Sequence, residues 1–206
     1  MPLTDWLDRL FPSPDLDDLV FWALDLETSG LKAGPDRIVS VGMVPIRRGV
    51  IKYGAHFHSF VGPTGLGRLS TEGIRAHHIL PAELETAPPL ADVLTEIDRR
   101  LHEGVLLLHF AALDLAFLKD AYRRQARRWP APAVVDTVAL ILKLQQRLEQ
   151  WTPNPTPMRT SLAESRAALG LPAYPGHDAL SDAVATAELF LVLRQRMGAG
   201  KLRHIR

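Results

Sequence analysis

The sequence predicts an α/β domain built on a mixed five-stranded sheet flanked by helices. Two patterns carry that prediction. Three strand-like runs lie close together in the first third of the chain, joined by short connections, which implies an antiparallel meander. The remainder alternates short apolar runs with helical periodicity, which implies two further strands in parallel pairing. The 206 residues, 47% hydrophobic and 23% charged, suit one compact domain that buries its core without staples.

Each element has a local reason. The apolar run 19–26 reads as a buried strand, closed by Gly30 and the Gly34-Pro35 punctuation. Residues 38–46 and 50–61 read as the second and third strands, with Arg47-Arg48-Gly49 as the hairpin turn. Ser70 caps an expected short helix over 70–79. Residues 88–103 place Leu90, Val93, Leu94, Ile97 and Leu101 at helical spacing. A strand over 105–109 precedes a helix over 113–128. A strand over 133–136 leads into a helix over 137–150. Three prolines make 151–159 an irregular loop. Helices follow over 162–169, closed by Gly170, and over 179–197, stopped by Gly198 and Gly200. Residues 1–18 read as a short N-terminal extension with a helix over 5–11. Residues 199–206 read as a basic, mobile tail, which leaves 19–198 as the domain.

Composition narrows the chemistry. With no cysteine, thiolate metal sites and disulfides are excluded, so any metal takes oxygen or imidazole ligands. The apolar runs fall short of a membrane span and the acidic, proline-broken N-terminus does not read as a secretory signal, so a cytoplasmic protein is expected. The net charge of +1 does not decide for or against nucleic acid. Arg123, Arg124, Arg127 and Arg128 form a basic cluster suited to phosphates, or equally a solvated helix end.

Acids interrupt the apolar segments at three places. Asp25 and Glu27 alternate along the first strand, so both project to one face. Asp114 opens a helix after the run VLLLH. His177 lies in a loop after Pro175-Gly176, and Asp182 sits in the early turns of the last helix. Alone, each has a plainer reading: solvated acids at a strand end, an acid favouring a helix dipole, a surface histidine. Together, four carboxylates from three segments describe a site for two hard divalent cations, with a neutral histidine free to take a proton from water.

The surrounding residues sharpen this. Asp25-Leu26-Glu27-Thr28-Ser29-Gly30-Leu31 stands for the pattern D-x-E-T-[TS]-G-L. Residues 109–118, HFAALDLAFL, stand for H-N-A-x-F-D-x-x-F-L, and residues 177–186, HDALSDAVAT, for H-x-A-L-x-D-A-x-A-T. Val135-Asp136-Thr137 lies between the last two. In motif order and spacing, over roughly 19–196, the chain resembles the DEDDh 3′–5′ exonucleases, the family of the epsilon-like proofreading subunits of bacterial DNA polymerase III.

The resemblance implies a ribonuclease H-like fold and two Mg²⁺ ions, with Mn²⁺ able to substitute. Asp25 would contact both metals, Glu27 and Asp182 the one carrying the attacking water, and Asp114 the substrate-side one. His177 would be the general base, and Thr28, Leu31 and His77 would contact the 3′-terminal nucleotide. Two positions of the second motif depart from pattern: Phe110 replaces an asparagine and Leu113 a phenylalanine. His78 replaces a glycine after His77. The expected substrate is a nucleic-acid 3′ end, single-stranded DNA first, with RNA 3′-end trimming or short-oligoribonucleotide degradation as the alternative. A non-catalytic nucleic-acid-binding domain of the same fold would be expected to lack a ligand, and all five positions are filled. The length leaves no room for a polymerase domain, so a proofreading role calls for a separate polymerase or repair subunit.

Overall fold

The computed structural model describes residues 13–62, 79–102, 104–151 and 157–205. Its strands are β1 (Val20–Thr28), β2 (Ile38–Arg47), β3 (Val50–Ile51), β4 (Phe57–Phe60), β5 (Gly104–Leu108) and β6 (Val134–Asp136). The helices among the described residues are α1 (Pro81–Glu85), α2 (Leu90–Leu101), α3 (Ala111–Arg124), α4 (Thr137–Trp151), α5 (Leu162–Ala168) and α6 (Ala179–Met197). All strands join one sheet of order β3-β2-β1-β5-β6, with β4 also paired to β2. β1 and β2 are antiparallel, and β1–β5 and β5–β6 are parallel. This is the expected mixed α/β sheet.

The third strand of the meander is broken in two. β3 pairs β2 at Ile46 and Arg47, and β4 pairs it from Ser40 to Met43, with a 3-10 turn over Tyr53–Ala55 between them. Pro45 explains the gap. Its carbonyl accepts the Lys52 N–H at 2.8 Å, but it has no N–H to donate back, so the ladder fails at that rung. The β2–β3 hairpin closes through Arg48 and Gly49, with φ of 51° and 70°, as a two-residue loop of the primed type requires.

Strand alternation splits the core into two layers. Phe21, Ala23, Val44 and Ile46 face α4 and α6, where the Phe21 and Phe190 rings lie 4.9 Å apart. Trp22, Leu24, Val41 and Met43 face α2 and α3. Asp25 and Glu27 continue the α6 face of β1.

Three local expectations change. The tail is packed onto the domain: Lys201 bridges Asp15, Leu202 N–H donates to the Pro14 carbonyl at 3.1 Å, and Ile205 is buried in the α6 layer. Leu16, assigned to the extension, is buried in the same layer. α1 was not anticipated; Pro81 starts it and the Glu83 carboxylate accepts the Leu80 N–H at 2.7 Å. Most of the helix expected over 70–79, the helix over 5–11, and His77 and His78 lie outside the described residues. Among the described residues, no helix is long and apolar enough to cross a membrane.

Candidate active site

β1 outruns its parallel neighbour. The β1–β5 register ends at Ala23↔Leu107, whereas β1 stays paired to β2 as far as Thr28. The β5 side of β1 is therefore open at Asp25, Leu26 and Glu27. The Leu26 N–H, with no strand to serve there, donates to the Asp114 carboxylate arriving on the first turn of α3. The site thus forms at the carboxyl edge of two parallel strands, the usual place for ligands in open α/β sheets.

The last helix approaches from the other layer, and one glycine admits it. Gly42 stands opposite Asp25 in the β1–β2 register. A Cβ at position 42 would overlap the backbone of Ala179 and Leu180 at the start of α6. Only hydrogen at that position lets α6 settle close enough to carry Asp182 to the end of β1. Ligand oxygens of Asp25, Glu27 and Asp182 all lie within 4.8 Å of one another. Asp114 stands outside that trio but near enough for its charge to act on Asp25.

His177 precedes α6 in a left-handed conformation, φ 57°, next to Gly176 at φ 67°. Its backbone N–H donates to Asp182 Oδ2 at 3.0 Å, and its side chain is left exposed. Asp178 caps the helix through the Ser181 N–H at 2.8 Å. Of the expected substrate contacts, Thr28 spends its hydroxyl on the Gly30 carbonyl at 2.6 Å, and Leu31 projects 79% exposed.

The electrostatics are those of acids gathered without cations. Burial, then the charges of Asp114, Asp182, Glu27 and Asp178, holds the Asp25 carboxyl well above the usual range. Burial raises Asp114 to about 8 against the pull of its own and the Leu26 N–H groups, with Asp136 and Glu27 adding to the rise. Burial, Asp182 and Asp178 lift Glu27 to about 7. Asp182 is raised mainly by burial, opposed by Tyr174, the His177 N–H and the His177 ring. Its Oδ1 atom is buried and has no hydrogen-bond partner among the described residues. A buried carboxylate oxygen without a partner, on an acid that gathers with two others within 4.8 Å, fits a hard divalent cation, which would satisfy the oxygen and favour the charged forms of those acids.

The other motif residues build the frame. His109 is half-buried, with Nε2 donating to the Thr160 carbonyl at 2.8 Å and Nδ1 lying 2.7 Å from Thr137 Oγ1. The Asp136 carboxylate accepts the N–H groups of Phe110, Ala111 and Val138 at 3.1, 3.1 and 2.9 Å, fixing the turn that delivers Asp114. The arginine cluster is largely committed within the chain. Arg123 and Arg124 clasp Asp120, and Arg127 binds Asp98 at 2.5 Å.

The family model for exonucleases of the RNase T type matches residues 22–190. This chain belongs to the exonuclease family, in its DEDDh class. A DNA polymerase III subunit epsilon-like protein of Rhodobacter capsulatus is 34% identical over 184 residues, covering 86% of this chain and 24% of that protein. The chain spans less than a third of the length of the curated relatives it matches. Two solved exonucleases share the fold. E. coli exonuclease I in complex with a dT13 oligonucleotide superposes with a TM-score of 0.73 at 16% identity, over 87% of this chain and 42% of the other. The nuclease domain of 3′hExo, a DEDDh member bound to rAMP, gives 0.69 at 16%, over 85% and 92%. The exonuclease fold thus accounts for the sheet order, and the four acids and the histidine stand at the positions that the motif resemblance led one to expect. Sequence reasoning misses Gly42 and Asp136 as residues that build the site. Gly42 at least had a signal, a lone glycine inside an apolar strand.

Proposed function

We propose that this chain hydrolyses phosphodiester bonds at a free nucleic-acid 3′ end, single-stranded DNA first, releasing nucleoside 5′-monophosphates. The observation that supports this is the meeting of Asp25, Glu27 and Asp182 within 4.8 Å, with an exposed histidine tied to the third of them. Asp25, Glu27 and Asp182 would hold one Mg²⁺, and Asp25 with Asp114 a second, Mn²⁺ serving in either place. Bound there, such ions supply an acidified water and charge neutralisation at the leaving oxygen.

The remaining work is that of the chain. His177 accepts a proton from the attacking water on its ring. The bond from its backbone to Asp182 ties the base to a metal ligand, so the two keep a fixed relation. Leu31, exposed beyond Thr28, gives the terminal nucleotide an apolar wall. His77 would add a contact from outside the described residues. The likeness to an epsilon-like relative makes a separate polymerase or repair subunit the expected partner.

The test uses 5′-labelled single strands of DNA and RNA of equal length with the purified chain, in Mg²⁺ and in EDTA. Stepwise shortening from the 3′ end is expected in Mg²⁺ and none in EDTA, with DNA degraded faster. If no 3′ end of either kind releases mononucleotides in Mg²⁺ or Mn²⁺, the reading fails. Faster loss of RNA would move the substrate to that class.

A further inference from the structure

Phe110 is the oddest residue near the site. It stands between β5 and α3, 60% exposed, in a left-handed conformation at φ 64° that large side chains rarely adopt. Asp136 holds it there: one carboxylate oxygen accepts the Phe110 N–H and the other the Ala111 N–H, both at 3.1 Å. The Phe110 carbonyl in turn accepts the Leu113 N–H at 3.2 Å. A two-pronged carboxylate clamp therefore keeps an aromatic ring in water, where a folded chain gains nothing from it. Phe110 is the residue that enters α3, and Asp114 lies in the first turn of that helix, so the Phe110 backbone stands beside the segment that delivers a site carboxylate. Position 113, a phenylalanine in the motif, is leucine here, and the aromatic ring stands one turn earlier instead.

We propose that Phe110 is a specificity-determining contact, a stacking platform for one of the last two unpaired nucleobases at the 3′ end. The inference rests on the proposed nucleic-acid substrate. Every base offers a π-face, so the platform tolerates sequence and selects for an intact, unpaired base. A carbohydrate or peptide chain offers no such repeating flat surface beside a phosphodiester. Asp136 acts through Phe110 as a positioning residue.

Binding tests this apart from hydrolysis. Fluorescence anisotropy would follow a 5′-labelled dT decamer in Ca²⁺, against the same strand with an abasic residue at either of its last two positions. The wild-type chain is expected to lose about tenfold in affinity for one abasic strand. Phe110→Ala should bind both strands alike at the weaker level, and Phe110→Tyr should keep the wild-type difference. If Phe110→Ala still discriminates as the wild type does, the platform is wrong. A wild-type chain that degrades DNA in Mg²⁺ but ignores the abasic change sinks the platform alone. One that discriminates but never hydrolyses sinks the proposed reaction and keeps the platform. A chain that binds neither strand sinks both.

Discussion

Helix α3 carries two largely buried aspartates in opposite electrostatic surroundings. At its first turn Asp114, 7% exposed, meets the Leu26 N–H and other carboxylates, and is raised to about 8. Further along, burial would raise Asp120 too, but the Arg124 and Arg123 guanidiniums more than reverse it and hold the carboxyl below its usual range. One sequence thus treats the same residue type in two ways. Where an acid serves the fold, the chain supplies the cation. Where it serves the site, the chain gathers more acids and leaves the cation to be bound. A buried carboxylate costs stability unless compensated, so the acidic corner is a debt that metal binding cancels.

The largest effect that breaks this contrast should come from the acidic corner. Asp25→Ala removes the carboxylate on which the charges of Asp114, Asp182, Glu27 and Asp178 all act. Mononucleotide release should fall below detection, and calorimetric binding of Mn²⁺ should weaken or vanish, while circular dichroism stays that of the wild type. Retained activity would refute the assignment. His177→Ala should lower the rate by about 10²–10⁴-fold, the usual contribution of a general base. The residual rate should climb toward alkaline pH, because hydroxide then replaces the missing base. An unchanged rate and profile would remove His177 from the chemistry.

Gly42→Ala attacks the same corner through its geometry. The added methyl meets backbone at Ala179 and Leu180, which cannot swing away as a side-chain tip can. Overpacking of this kind costs about 1–3 kcal/mol, or about 2–10 °C in melting temperature for a chain of this length. Because α6 must back away from β1, Asp182 retreats from Asp25, so activity should fall more than stability does. A variant that melts lower but cleaves normally would show that α6 reaches the site by another route.

What the sequence disclosed depended on how far apart the interacting residues stand. Asp25 and Glu27 were legible because strand period alone puts them on one face, and the bounds of α6 because its start and its Gly198 stop are local. The meander and the parallel pair followed from connection lengths. Contacts across the fold were hidden. The break between β3 and β4 depends on Pro45 facing Lys52 across a strand pair. The tail packs because Ile205 and Leu16 meet in the same layer, which no local signal announces. The arginine cluster reads from sequence either as a phosphate site or as a solvated helix end, because Asp98 and Asp120 cannot be placed against it there. The acids of the site were visible by motif, but their shared burial and the orphaned Asp182 oxygen appear only in three dimensions.

Stability against pH sharpens the comparison between the two aspartates. Glu27 and Asp114 have folded-state values raised to about 7 and about 8. Acids so raised stabilise the fold below their unfolded values near 4, and that contribution is lost as pH rises toward 8. The metal-free chain in EDTA should therefore melt at progressively lower temperature from pH 5 to pH 8. Mg²⁺ should restore it at pH 8 by binding the folded form alone. Asp114→Asn keeps an oxygen for the Leu26 N–H and removes the charge. At pH 8 without metal it should stabilise the chain by about 1–3 kcal/mol, less than the full shift implies because neighbouring acids readjust. A variant less stable than wild type under those conditions would contradict the uncompensated burial of Asp114.

Asp120→Asn is the mirror experiment and the smallest effect. Here the lowered folded-state value stabilises the fold above the unfolded value near 4, and the contribution is lost as pH falls through the lowered one. Arg124 is 28% exposed and Arg123 70%, so both partners remain open to solvent and the cluster lies within the range of surface ion-pair energies. Its loss should cost about 0.2–1 kcal/mol at pH 7, or about 1–3 °C. The cost should shrink in acid and in high salt, and Mg²⁺ should not change it. The sign is opposite to that of Asp114→Asn on the same helix in the same metal-free buffer. If both substitutions shift the melting temperature in one direction, helix propensity rather than charge governs them, and the contrast between the two ends of α3 is lost.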